Sequence, residues 1–91
     1  MAHKYRITVE ISYSDGTEHT VLISLAAIVA YEIAHEKTFI DGYDGLHCKT
    51  WVTWRECQLS GIQVPVYEEW LKTVDRVMFI MPDPTIETED G

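Results

Sequence analysis

The chain has 91 residues, with 15 acidic side chains against 7 basic ones and a formal charge of −8. That balance excludes a nucleic-acid clamp and an anionic-membrane binder, both of which need clustered Lys and Arg. An apolar fraction of 46% belongs to a folded chain, the length allows one domain with a thin core, and two cysteines are too few for a disulfide scaffold.

Tyr5, Ile7, Val9, Ile11 and Tyr13 alternate with Lys4, Arg6, Thr8, Glu10 and Ser12, the period-two pattern of a half-buried strand. Asp15-Gly16 supplies the positive-φ positions of a hairpin turn. The return strand runs from Glu18 to Ile23 with His19, Val21 and Ile23 on one face; Leu22 falls on the other, so that side is expected to be partly covered. Ser24 stands where an N-cap belongs, ahead of a helix from Leu25 to Lys37. In this helix Leu25, Ile28, Val29 and Glu32 share one stripe, flanked by Ala26, Ala30, Ile33 and Ala34. A helix so apolar is expected to be covered on more than one side, by the hairpin, another helix or a partner.

Thr38 to Lys49 reads as a loop, with two turn signals in Asp41-Gly42-Tyr43-Asp44-Gly45. Thr50 is the expected N-cap of a second helix that runs to Ser60 and stops at Gly61, with Trp51, Trp54 and either Cys57 or Gln58 on one side. Pro65 reads as the first position of a third helix, in which Tyr67, Trp70, Leu71 and Val74 make an apolar stripe opposite Glu68, Glu69, Lys72 and Asp75. The run Val77 to Met81 is read as a third short strand beside the hairpin, with continuation of the helix as the alternative. The expected fold is α+β: an N-terminal antiparallel β-hairpin packed with three α-helices, one domain over residues 1–82. Residues 83–91 are expected to form an acidic, flexible C-terminal tail.

Chemistry is sparse along this chain. His3, His19, His35 and His47 are scattered, none at i, i+4 from another, and read as polar surface side chains. The neighbours His35-Glu36 and His47-Cys48 point in different directions on a helix and make no catalytic pair. Glu32 interrupts the apolar helix and is read as structural, paired with a base or at the stripe's edge, with a buried acid of raised pKa as the sharper alternative. There is no glycine-rich phosphate loop and no G-x-S-x-G, and Asp41 to Gly45 lacks the further ligands of a calcium loop. No catalytic residue, cofactor or metal is therefore expected, and the chain is not expected to be an enzyme.

The charged N-terminus leads into a strand pattern and not into a targeting segment, and Leu25 to Ala34, interrupted by Glu32, is too short to span a membrane. A cytoplasmic protein is expected, not a secreted one, with Cys48 and Cys57 as thiols. Trp51, Trp54 and Trp70 fall on expected core faces, where large rings help a small domain bury apolar area. The sharper reading makes one of them, with Tyr31, Phe39 or Tyr67, a recessed anchor for a protein partner. The candidate partner-binding residues are thus Tyr31, Phe39, Trp51, Trp54, Tyr67 and Trp70.

The order of these features carries a resemblance. A hairpin precedes Ser24-Leu25-Ala26-Ala27-Ile28-Val29-Ala30-Tyr31-Glu32, then come Trp51-Val52-Thr53-Trp54, Gly61 and Tyr67-Glu68-Glu69-Trp70-Leu71-Lys72-Thr73-Val74-Asp75, and an acidic tail closes the chain. Over about residues 5 to 80 this resembles the small tail assembly chaperones of long-tailed (siphovirus-type) actinobacteriophages, through packing positions and not through a catalytic fingerprint. The resemblance implies a non-enzymatic role in the cytoplasm of the infected host: binding the tape-measure protein, keeping it soluble, helping to recruit tail tube subunits, and being absent from the mature virion. It also implies a longer frameshifted form, for which the acidic end would serve as linker.

Two other classes stand beside it. A small acidic inhibitor could bind a host protein by charge mimicry; four of the acids lie in residues 83–91, however, leaving only −4 on residues 1–82. A structural subunit could self-associate into a homo-oligomer through an uncovered strand edge or helix face.

Overall fold

The structure is a computed structural model, and it describes residues 7–39 and 45–80. The expected strand start at Tyr5, the turn signals at 41–44, Met81 and the acidic tail lie outside the described residues.

The expected α+β class is what the chain adopts. Strand β1 (Thr8–Tyr13) turns through Ser14 to Thr17 into β2 (Glu18–Leu22). Gly16 takes φ +93°, and the Asp15 carboxylate accepts both the backbone N–H (2.9 Å) and the hydroxyl (2.6 Å) of Thr17. Those two bonds hold the Asp15 carboxyl below the usual carboxylate range. Helix α1 covers Leu25–His35, α2 Leu46–Leu59 and α3 Tyr67–Thr73, and β3 follows as Val74–Ile80.

The sheet order is β2-β1-β3, antiparallel throughout, so the first strand of the chain is central. Val9 pairs with Val21 on one side and Phe79 on the other, and Ile11 faces Val77. These residues point to the helices, and Val9 and Ile11 are completely buried. The run expected at 77–81 is therefore a strand, and it starts three residues earlier. It follows α3 without a loop, and a register shift opposite Ser12 and Tyr13 leaves Asp75 unpaired. Such a bulge reverses the alternation of faces, which turns Val74 inward together with Val77 and Phe79.

The helix ends follow local chemistry. The Ser24 hydroxyl accepts the Ala27 N–H at 3.2 Å, as an N-cap should. Gly61, at φ +85°, ends α2: its N–H donates to the Gln58 carbonyl at 3.1 Å and the Ile62 N–H to the Cys57 carbonyl at 2.9 Å. That pattern needs a left-handed residue after the helix, where glycine carries no steric penalty. At its other end α2 departs from expectation. It starts at Leu46 with Gly45 as N-cap, so Thr50 lies inside the helix and residues 46–49 are not loop. Pro65 precedes α3 by two residues, and Val66 is the cap.

Helix α1 departs more. It packs chiefly on α2, which contacts β2, β3 and α3 in turn. Its buried residues are Ala27 and Tyr31, with Ile28 half-buried beside them. The expected stripe is thus displaced: Leu25 and Val29 point outward, and the helix is covered on one side only. An α-helix that is apolar nearly all round has no weak side to present to solvent, so its spacing cannot choose the buried face.

Candidate partner-binding site

Five of the six candidate residues come together at the junction of α1, α2 and α3. Tyr31 contacts Phe39 (ring centroids 6.3 Å apart) and Trp51 (6.0 Å), Trp51 contacts Trp54 (5.6 Å), and Trp54 contacts Tyr67 (5.7 Å). Two histidines close the circuit: Tyr67 lies 5.6 Å from His47, His47 4.8 Å from His35, and His35 stacks on Tyr31 at 4.3 Å. Trp70 stands apart from this ring and is tied to the sheet, its indole N–H donating to the Tyr13 hydroxyl at 3.2 Å.

Burial sorts the set. Trp70, Tyr31 and Phe39 are buried, so a partner could touch them only after the core opened; Trp51, Trp54 and Tyr67 are half-buried and reach the surface. The Trp54 indole N–H donates to the Pro65 carbonyl at 2.8 Å, which ties the segment before α3 to α2. Tyr67, with Leu46, Leu71, Val74 and Val77, lines a shallow apolar groove of about 590 Å³ that Asp75 and Arg76 border. Burial raises the Tyr31 hydroxyl and the Cys48 thiol above their ordinary values, and the two share a hydrogen bond. Both cysteines are free and buried, as expected of thiols.

Two functions of polar side chains carry little or no signal in the spacing, and a third, expected one has a different partner. Glu56 is a buried carboxylate that accepts the Ser24 N–H at 2.9 Å and the Ser60 hydroxyl at 2.7 Å. Its one sequence signal is its place on the Cys48-Val52 face of α2, an acid at an inward position. Glu32 accepts the Phe39 N–H at 2.8 Å, the structural role expected of it with a backbone partner in place of a base. His35 and His47, read as scattered surface groups, meet at 2.9 Å between their Nε2 atoms; twelve residues of separation carry no signal for this. Among the described residues no group of three or more His, Cys, Asp or Glu could hold a metal ion, and no described helix is long and apolar enough to cross a membrane.

A second surface lies on the far side of α1. Leu25, Val29 and Ile33 repeat at i, i+4 and i+8 opposite Ala27 and Tyr31, and they are 75%, 41% and 74% exposed. Leu22, exposed as well, precedes them at the end of β2. Three branched aliphatics on one outward ridge are unusual for a surface that only meets water.

The chain matches no family model, no curated protein sequence and no solved structure.

Proposed function

We propose that this domain is a non-enzymatic protein-binding chaperone of phage tail assembly, which binds the tape-measure protein in the host cytoplasm and keeps it soluble while the tail tube forms. The observation that carries the reading is the outward ridge of α1, Leu25, Val29 and Ile33. A row of side chains at i+4 spacing fits between the ridges of a second helix, so the occupant this face suits is a long amphipathic helix. The acidic body keeps such a domain in solution despite an uncovered apolar face. The aromatic ring at the α1–α2–α3 junction supports the ridge from behind, through Tyr31 on the opposite side of the same helix.

Co-expression with a phage tape-measure protein, followed by pull-down, tests the proposal. The full chain should retain the tape-measure protein in the soluble fraction, and the double variant L25E/I33E should lose it. No association between partners that are each soluble overturns the reading. A wild-type chain that dimerises while the double variant stays monomeric, with no capture of the tape-measure protein by either, would establish the self-associating subunit instead.

A further inference from the structure

Six groups stand in one row across the junction of the three helices. His35 Nδ1 lies 3.0 Å from the Tyr31 carbonyl, and its Nε2 lies 2.9 Å from His47 Nε2. His47 Nδ1 lies 3.2 Å from the Tyr67 hydroxyl, which lies 2.7 Å from the Thr50 hydroxyl. The Thr50 hydroxyl ends the row 2.7 Å from the Leu46 carbonyl. Its other backbone neighbour, the His47 carbonyl at 3.3 Å, is again a pure acceptor.

Counting protons along the row gives an unequal result. Each hydrogen bond needs one proton, and both ends are carbonyl oxygens that supply none. The five contacts need five protons, whereas two neutral imidazoles and two hydroxyls hold four between them. With both histidines neutral, one contact sets lone pair against lone pair. One added proton removes the conflict: each Nδ1–H donates outward, to Tyr31 and to Tyr67, and the third proton lies between the two Nε2 atoms. A second added proton would set N–H against N–H across 2.9 Å.

We propose that His35 and His47 together bind one proton and no more, and that the resulting imidazole–imidazolium pair clamps the end of α1 to the first turn of α2 and, through Tyr67, to α3. The site takes a proton and not a metal ion, because no third ligand stands with the two rings among the described residues. The groups around it weigh against a second charge. Burial, the His35 charge and the Lys37 ammonium all push His47 down, and Asp75 and Arg76 of β3 border the groove that His47 and Tyr67 line. The Tyr31 hydroxyl and the Cys48 thiol, both raised, stay neutral beside it. Losing the shared proton opens one link of the row, so the clamp loosens as the pH rises through the pair's titration.

Long-range proton–nitrogen NMR of the imidazoles in the full chain, followed from about pH 8 to about pH 5, reads this directly. His35 and His47 should change together over one shared step worth one proton for two rings. Tyr67→Phe removes the acceptor of the His47 Nδ1–H, and it should move the shared step to lower pH by about half a unit or more. Two separate one-proton steps, one ring titrating alone, or a shared step that Tyr67→Phe leaves in place would each overturn the proposal.

Discussion

Glu56, near the end of α2, accepts the backbone N–H of Ser24, the residue that opens α1, at 2.9 Å. One carboxylate thereby joins two helix ends, because its other oxygen takes the hydroxyl of Ser60 just past α2. The bond also explains how α1 is oriented: its N-cap residue is held to the side of α2, so the face carrying Ala27 and Tyr31 turns inward.

Removing that carboxylate strands a backbone donor in a part-buried place. Glu56→Ala should cost about 2–3 kcal/mol in urea denaturation, the range for a hydrogen-bonded charge whose partners are left unpaired. Ser24→Ala, which keeps the Glu56 contact and loses only the N-cap, should cost about 1 kcal/mol.

Cys57 gives the domain an alkaline limit. Burial, with the Glu56 charge beside it, pushes its thiol up to about 11 from 9.0. Unfolded chains release this proton near the ordinary value, while the folded domain keeps it until about 11, so the folded state binds more protons in between. Stability from this group is therefore full below the unfolded value and falls as the pH rises through that window, by on the order of 1–2 kcal/mol. Denaturation curves on both sides of the window should show the fall, and Cys57→Ala, though less stable at neutral pH, should flatten it.

The outward ridge of α1 should be nearly irrelevant to folding. Leu25→Ser and Ile33→Ser, at exposed positions, should each change stability by no more than about 0.5 kcal/mol. Ile11→Ala, at a fully buried position of the central strand, should cost about 2–5 kcal/mol in the same assay. A large loss at Leu25 or Ile33 would mean that the monomer already covers that face.

Trp70 joins helix and sheet. Trp70→Ala should cost about 3–5 kcal/mol by chemical denaturation, since the ring is fully buried. Tyr13→Phe, which removes only the acceptor of the indole N–H, should cost about 1 kcal/mol.

These side chains also show where local reading stops. The hairpin was legible because Val9 and Ile11 alternate with polar residues, and Asp15-Gly16 suits one kind of turn. The stripe Tyr67, Trp70 and Leu71 is legible because apolar positions at helical spacing face charged ones. Val74 and Asp75, read as part of the same helix, instead open β3 because the chain passes from helix to strand without a loop. The Ser24 cap and the Gly61 stop rest on bonds made within a few residues. Thr50 lies inside α2 and not at its cap because a threonine can cap a helix or return its hydroxyl to the carbonyl four residues back, and only the chain before it decides. Of the candidate aromatics, the ring formed by Tyr31, Trp51, Trp54 and Tyr67 could be suspected from composition, yet its closure through His35 and His47 could not.

What the sequence determined by itself was the set of elements and the class they build, because periodicity, capping and turn chemistry act over a few residues. Tertiary structure alone decided which side of α1 is buried, which acid holds the helix ends, and that two histidines twelve positions apart share a hydrogen bond. The reason is physical: α1 is apolar nearly all round, so its inward face is selected by what α2 offers at long range, through Glu56, and not by its own pattern. The side of α1 left over by that choice, Leu25, Val29 and Ile33, is the side on which the proposed partner would dock.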